Sequence, residues 1–395
     1  MGRDGSVTNQ KKNLEHFTVP PLHLELNRNP WAAAAAATAT ASEHEPDAPP
    51  VLFATLYELP PPAGGGSALF VRIHTAACDR AASASLVREL VALLAGDGAG
   101  AGAASERDPE DAAVRASLEE RIPQRDSWKP FWARGLDMMG YSINGLRTST
   151  LPFKVTGTER STQMLRLGFD RDETTKLLDA CKQNGVKLCA AMAAATLLAA
   201  RLSKQQVASN QQETYSIATL INCRKFLEPA LDDHNVGFYH SAITNTHTIH
   251  GGEGLWELAK RCQYSYTNAK SNKKHLTDIA DLNFLMCRAI ENPQLTTGSA
   301  LRTAVVSVFE EPVVYDLSDM QSKAGVEEFI SCATVHGVGP SIGLFDSIRD
   351  GQLEFACMYP CPLHSREQMQ EIMNKVKQIL HEGSIGDDEN FEDCT

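Results

Sequence analysis

The sequence has 395 residues, of which 43% are hydrophobic, and its formal net charge is −12. This length is enough for one large or two medium domains with substantial cores. The acidic balance, without a long run of Lys and Arg, argues against nucleic acid or an anionic membrane as the main partner. No apolar stretch reaches the length of a membrane span, and the polar start of the chain does not fit a signal peptide.

Cysteine usage indicates the compartment. The ten cysteines are distributed without CxxC pairs or the spacing of a metal site. Most of them lie in apolar patterns, which is typical of buried thiols in a reducing environment. The sequence therefore predicts a cytoplasmic protein without a metal site.

The N-terminal third of the chain predicts a hairpin and a helix. Residues 1–50 carry little pattern, and we expect them to be poorly ordered. An apolar strand at 51–59 is followed by a Pro- and Gly-rich turn and a second strand at 68–73, so the two pair as a hairpin. A 3.6-residue apolar period then predicts a helix over 80–94.

Three candidate site residues, His74, Cys78 and Asp79, lie between this hairpin and this helix. His74 ends the strand, and Asp79 stands where the helix begins, either orienting a site or simply capping the helix. Cys78, one residue earlier, is either a nucleophile stabilised by the helix N-terminus or a small buried filler. Such a strand–loop–helix corner is a common place to build a site, because it exposes polar groups beside helix amides.

A second aromatic-rich segment spans residues 128–146. Large apolar side chains recur there at helical spacing, at Trp128, Phe131, Trp132, Leu136, Met139 and Ile143. Core packing explains this stripe better than a ligand-binding function, so we expect these side chains to be buried.

The remaining two thirds of the chain alternate between strand and helix patterns. Asp170 and Glu173 form a capping box, and 188–202 is apolar nearly all round, which indicates a deeply buried helix. Further segments are predicted as strands at 163–169, 215–222, 236–245, 304–308 and 330–335, as helices at 255–268, 276–287 and 365–380, and as a hairpin of 341–346 with 353–359.

The strand ending in His74, the short gap and Asp79 resemble the HHxxxDG motif of the chloramphenicol acetyltransferase-like superfamily. That superfamily includes the condensation domains of peptide synthetases, the plant BAHD acyltransferases and the alcohol acetyltransferases. In this alignment the second His falls on Thr75 and the Gly falls on Arg80. Later segments, VKLCAAMAAA, the NCR run before Pro229 and NVGFY, are similar to the second lobe of the superfamily. The chain thus resembles an alcohol acetyltransferase-like member with a degenerate motif and without the DFGWG loop of BAHD enzymes.

The resemblance implies an α/β (α+β) fold, a two-lobe sandwich with the site between the lobes. Residues 51–150 would form an incomplete, truncated N-terminal lobe carrying the motif, and 151–382 the C-terminal lobe. Residues 383–395 form an acidic tail.

The resemblance implies transfer of an acyl group from acyl-CoA, or a carrier thioester, to an alcohol or amine. Acyl-CoA would then be a co-substrate, no cofactor is needed, and the partners are a small-molecule acyl donor and acceptor. The alternative is a catalytically degenerate relative that acts as a binding or scaffold protein. In the family the second His is the general base, and a Thr hydroxyl at position 75 does not accept a proton near neutral pH.

Whether the protein is an enzyme therefore depends on which residue replaces that base. His74 is the first candidate, although in the family the first His usually braces the site. His240 and His336 are alternative bases, and a lone His in a strand or turn is more often inert.

The resemblance also implies residues that hold the site together. Asp79 would pair with Arg224 of the second lobe. Gly237 matches the glycine of the family pattern, whereas Phe238 stands where the family usually has an Asn. Thr75, Asp79, Arg224 and Gly237 are thus expected to shape or orient the site.

Overall fold

The computed structural model describes residues 20–30, 50–59, 65–96, 117–156, 159–204, 212–292 and 302–385. The chain divides into two compact units, Met1–His74 and Thr75–Thr395. Most of the segment predicted as poorly ordered, 1–50, lies outside the described residues, and so do 386–395 of the predicted acidic tail. The division of the chain into lobes at residue 150 stays a prediction.

The first unit contains helix α1 (Pro20–Asn27) and a hairpin of β1 (Leu52–Leu59) and β2 (Gly66–Ile73). The two strands are antiparallel and pair along their whole length, as predicted. The buried carboxylate of Glu25 accepts a 2.7 Å hydrogen bond from the hydroxyl of Tyr57, which ties α1 to the hairpin.

The second unit is built on a seven-stranded sheet in the order β3-β9-β8-β6-β4-β5, with β7 also paired to β8. The strands are β3 (Ser161–Gly168), β4 (Glu213–Asn222), β5 (His240–Ile249), β6 (Val306–Phe309), β7 (Val313–Tyr315), β8 (Ile342–Arg349) and β9 (Gln352–Cys361). Strand β6 is parallel to β4 and β8, whereas β3, β5 and β9 pair antiparallel with their neighbours. The sheet is therefore mixed.

Helices surround this sheet and supply its main core. They are α2 (Arg80–Leu94), α3 (Leu118–Arg121), α4 (Gln124–Ser127), α5 (Phe131–Arg147), α6 (Arg171–Gln183), α7 (Leu188–Leu202), α8 (Leu255–Ser271), α9 (Lys274–Thr277), α10 (Ile279–Glu291), α11 (Ser318–Ala324) and α12 (Arg366–Ser384). The Ala-rich α7 packs against α8, α12 and the sheet, and it is buried from Leu188 to Arg201, as predicted. Small side chains allow this close approach on every side. The α/β (α+β) fold class is confirmed.

Two local predictions are wrong. The stripe is exposed rather than buried at five of its six positions, Trp128, Phe131, Trp132, Leu136 and Met139, with Phe131 92% and Trp132 68% accessible. The side chain of Ile143 lies outside the described residues. Polar contacts dock this part of the chain instead, since Lys129 just before α5 pairs with Asp278 at 2.7 Å. Helical periodicity identifies an apolar face, but it does not show that another element covers that face.

Segment 330–335, predicted as a strand, is irregular.

Within the described part of the chain, no single helix is both long and apolar enough to cross a membrane. Helices α6 and α7 meet the requirements only as a pair, and they are bent by 100° relative to each other.

Candidate functional site

The first feature of the site is the carboxylate at the start of α2. Asp79 caps this helix, because its Oδ1 accepts the backbone N–H of Ala82 at 3.0 Å. The guanidinium of Arg224 donates to both oxygens of the same carboxylate, at 2.8 and 3.0 Å. One buried side chain therefore serves as a helix cap and as half of a bidentate ion pair.

Arg224 is itself fixed by the turn that follows β4. This turn, the short helix Arg224–Phe226, comes two residues after Asn222, whose Oδ1 accepts the backbone N–H of Arg224 at 3.2 Å. The guanidinium also donates to the carbonyl of Asn235 at 3.0 Å and lies over the ring of Tyr239 at 4.9 Å. These contacts fix the orientation in which the guanidinium of Arg224 binds Asp79.

Gly237 and Tyr239 bring a second backbone segment against Asp79. The carbonyl of Gly237 accepts the N–H of Asp79 at 3.0 Å, and the N–H of Tyr239 donates to Oδ2 of Asp79 at 2.8 Å. A Cβ at position 237 would lie 2.5 Å from the Tyr239 ring. Close approach of this ring explains why glycine stands there.

His240 completes the arrangement around Asp79. Its Nδ1 lies 2.9 Å from Oδ2 of Asp79, although the N–H is not aligned for a hydrogen bond, so the contact is mainly electrostatic. Burial alone would raise the pKa of Asp79, but His240 and Arg224 outweigh it and hold this pKa well below its usual range. Asp79 is therefore ionised near neutral pH and is a poor proton acceptor.

This pairing has a consequence for His240. A carboxylate beside Nδ1 favours the tautomer that carries the proton there and leaves a lone pair on Nε2. The ring lies among aromatic side chains, edge-on to Phe309 at 5.8 Å and near Phe238 at 6.5 Å. The arrangement can therefore accept a proton at Nε2 while Asp79 offsets the charge that forms.

Arg80, the next residue after Asp79, turns toward other strands. Its Nη2 donates to Oδ1 of Asp346 at 2.7 Å, and its Nη1 donates to the carbonyl of Glu311 at 3.1 Å. The guanidinium also stacks on the ring of Phe309 at 4.0 Å. Burial raises the pKa of Asp346 above its ordinary value.

Three other residues that the sequence analysis singled out, His74, Thr75 and Cys78, make none of the contacts with Asp79 described above. His74 is the last residue of the first unit, Thr75 is the first residue of the second, and both side chains are exposed. Cys78 is half-buried and burial raises its pKa to about 11, so it is a neutral thiol rather than a nucleophile.

His240 and His336 do not belong to one site. His336 contacts Thr162 of β3, with 2.9 Å between Nδ1 and Oγ1, whereas His240 begins β5. These strands form opposite edges of the sheet, five strand spacings apart. That separation is roughly 24 Å along the sheet.

The sequence analysis did not identify Asp346 as a buried, partnered residue, although its position in the strand pattern indicates this. In β8, Ile342, Leu344, Asp346 and Ile348 alternate on one face, so a carboxylate takes a position that the pattern assigns to the core. A charge in the apolar half of a strand pattern indicates a buried, partnered group. Among the described residues, no group of three or more His, Cys, Asp or Glu side chains could hold a metal ion.

Comparisons with known proteins bear on the fold. The family model described as phthiocerol/phthiodiolone dimycocerosyl transferase C-terminus matches residues 158–265, which include Arg224 and His240. The structure of polyketide synthase associated protein 5 from Mycobacterium tuberculosis is similar with a TM-score of 0.53, at 14% identity over 87% of this chain and 80% of that one. The first condensation domain of the calcium-dependent antibiotic synthetase is similar with a TM-score of 0.54, at 12% identity over 89% and 72%. The fold is that of the chloramphenicol acetyltransferase-like superfamily.

This superfamily fold, a two-lobe fold in the solved structures, is the one that the sequence motifs predicted. Trichothecene 15-O-acetyltransferase from Fusarium sporotrichioides is also similar, with 12% identity and a TM-score of 0.50 over 67% of this chain. The chain spans 56% of the length of that enzyme. No curated protein matches the sequence.

Proposed function

We propose that this protein transfers an acyl group from a thioester, either acyl-CoA or a carrier-bound thioester, to an alcohol or amine. The fold, which acyltransferases and condensation domains share, supports this class of reaction. The observation that carries the proposal is the Asp79 carboxylate set 2.9 Å from Nδ1 of His240. That geometry is suited to a general base in a protein whose Thr75 cannot be one.

The proposed reaction is a direct attack. The acceptor O–H or N–H gives its proton to Nε2 of His240 as the oxygen or nitrogen bonds to the thioester carbonyl carbon. The C–S bond then breaks, and the imidazolium returns the proton to the leaving thiolate, so a free thiol and an ester or amide result. Asp79 stays ionised throughout and stabilises the imidazolium.

Donor and acceptor are proposed only by class. One similar structure is an O-acetyltransferase and another is a condensation domain of a synthetase, so both acyl-CoA and carrier-bound donors fit the proposal. Acyl-CoA would serve as a co-substrate in the cytoplasm. His74 remains a second candidate for the base, in addition to His240, because its exposed side chain follows the strand as the family motif requires.

A second candidate function is binding without catalysis. Thr75 at the usual base position favours it, and so does the use of the Asp79 carboxylate for structural contacts with Arg224 and Tyr239. Such a protein would retain the fold and the ion pair and would bind a ligand without turning it over.

The test is acyl transfer by the wild-type protein. Several acyl-CoA donors and carrier-bound acyl thioesters are incubated with mixed alcohols and amines, and the free thiol and the acylated product are measured by mass spectrometry. A colorimetric thiol assay is less suitable, because the protein carries ten cysteines of its own. Acceptor-dependent release of the free thiol, from CoA or from the carrier, supports the transferase. The absence of product with both CoA and carrier-bound donors contradicts it and supports binding alone.

A further inference from the structure

One side of α5 is apolar and accessible, and the proposed reaction does not use it. Within this helix, Phe131, Trp132, Leu136 and Met139 are between 53% and 92% exposed. We call these four side chains the α5 face. Single exposed apolar residues are ordinary, but several at helical spacing on one helix form a continuous surface.

The opposite side of α5 is polar and is held by ion pairs. Asp137 pairs with Lys129 at 2.7 Å, and the hydroxyl of Tyr141 donates to Asp278. The side chain of Lys129 is 7% exposed, and it also pairs with Asp278 and Asp281. A rotation that turned the α5 face inward would break these contacts and leave buried charges without partners. The helix is therefore fixed with its apolar side outward.

The area of this surface is that of an interface. An aromatic side chain covers about 150–250 Å², so Phe131, Trp132 and the 74% exposed Trp128 before the helix present roughly 400 Å². Leu136 and Met139 enlarge it. Apolar patches of about 300–600 Å² on a monomer are often functional. If two copies use the same surface, the total area buried is on the order of 1,000 Å², the lower end for specific dimers.

Gly135 makes the α5 face suitable for a second helix. It lies three residues after Trp132 and four before Met139, so it stands between these side chains on the same face. A Cβ on Gly135 would meet no described atom within 4 Å, so packing inside the protein does not require a glycine there. Glycine in a helix interior is less favourable than alanine by about 1 kcal/mol, and close approach of another backbone is a usual reason for it.

The α5 face is also complementary to itself. Two antiparallel copies of the helix, related by a twofold axis at Gly135, bring Trp132 of each copy next to the partner's Met139. A thioether packs favourably against an aromatic ring, and each indole covers the space beside the glycines. The same contact is then made twice, as a twofold interface requires.

A lipid surface is a poorer match for the α5 face. A helix that lies on a membrane keeps a face rich in Lys and Arg in water. The polar side of α5 is instead engaged with Lys129 and Asp278, and the chain carries a net charge of −12.

We propose that α5 is a dimerisation helix, and that it binds α5 of a second copy of this chain, antiparallel and in close contact across Gly135. The inference does not depend on the proposed acyl transfer.

Sedimentation velocity of the full chain measures this association. Between about 1 and 100 μM, where an interface of this size is expected to dissociate, the sedimentation coefficient should rise from that of a monomer to that of a dimer. Trp132→Lys should weaken the dimer by about thirtyfold or more, the effect of a central Trp in an interface. Tyr264→Lys is the matched control, because Tyr264 is 75% exposed on α8, and it should leave the Kd unchanged.

Gly135→Leu tests the close packing of the two helices. The new side chain has room in the monomer and favours the helix, so the melting temperature should not fall. It would hold two antiparallel backbones apart, so the dimer should weaken by at least about tenfold. A loose apolar contact or a lipid surface would gain from the added apolar area, and the effect would have the opposite sign. Co-sedimentation with phosphatidylcholine vesicles measures the lipid case.

A protein that remains monomeric at the highest concentration would overturn the inference. So would a dimer that Trp132→Lys and Tyr264→Lys weaken equally. A dimer that Gly135→Leu strengthens would contradict close packing across Gly135. A monomer that binds the vesicles, and loses that binding in Trp132→Lys, would assign the α5 face to a lipid surface instead.

Discussion

Arg224 binds both carboxylate oxygens of Asp79, although the two residues are 145 positions apart in the sequence. This ion pair joins the N-terminus of α2 to the turn after β4, inside the second unit. The resemblance to the superfamily motif implied such a pair, and the structure shows its geometry. Because both side chains are buried, neither can lose its partner without leaving an uncompensated charge in the core.

The first prediction concerns the stability of this pair. Asp79→Ala and Arg224→Ala should each lower the free energy of unfolding by about 3–5 kcal/mol, the cost of breaking a buried ion pair. The double variant should lose clearly less than the sum, because the second substitution removes a group that the first left unpaired. Urea unfolding curves of the three variants measure these losses.

Asp170 provides the control for helix capping alone. It caps α6 through the N–H of Glu173 at 2.9 Å and belongs to a solvent-exposed capping box. Asp170→Ala should lose about 0.5–2 kcal/mol and add to the loss in Arg224→Ala. Additive losses for Asp79 and Arg224 would mean that the two side chains do not interact in solution.

The second prediction concerns Gly237. Gly237→Ala should destabilise the protein by about 1–3 kcal/mol, because the new Cβ would overlap the Tyr239 ring that lies under the Arg224 guanidinium. Gly168→Ala is the control, since a Cβ there meets nothing within 4 Å. Thermal melts compare the two. A Gly237→Ala protein as stable as its control would show that Tyr239 moves aside freely.

The sequence predicted the parts of this site that follow from local chemistry. Asp79 could be placed by the capping signal and Arg224 by its motif, because both depend on a few neighbouring residues. The burial of Asp346 could be inferred from its place in the β8 pattern, but its partner Arg80 reaches it from a helix that is distant in the sequence, and no local pattern encodes that contact. The exposure of Phe131 was missed for a similar reason, because burial of an amphipathic face depends on the partner and not on the period.

The third prediction concerns acid sensitivity. Burial lowers the pKa of His247, His275 and His364 to about 4, whereas an unfolded chain has His pKa values near 6.5. Between these values the unfolded state binds more protons than the folded state, so stability rises with pH across this window. The free energy of unfolding should therefore decrease as pH falls from about 6.5 to about 4, by up to about 1.4 kcal/mol per pH unit for each His.

His364 allows this effect to be isolated. It is fully buried, and its ring lies 5.7 Å from that of Phe153. His364→Phe should therefore keep the packing and reduce the pH dependence of the urea midpoint between pH 7 and 4.5. His234→Gln, at an exposed position, should leave that dependence unchanged. If the urea midpoint of His364→Phe changes with pH as steeply as that of the wild type, His364 is excluded as a source of the acid sensitivity.

The last prediction separates a transferase that uses His240 from the other possibilities. His240→Gln keeps a polar donor beside Asp79 but has no basic nitrogen, so turnover should fall by about 10²–10⁴-fold while the melting temperature changes little. His74→Ala and Thr75→His are made in parallel, and all three are assayed for acyl transfer by mass spectrometry. Activity that survives His240→Gln but disappears in His74→Ala would assign the base to His74. Activity that appears only in Thr75→His, which restores the base of the family motif, would identify the natural protein as a non-catalytic relative that binds its ligand through the same fold.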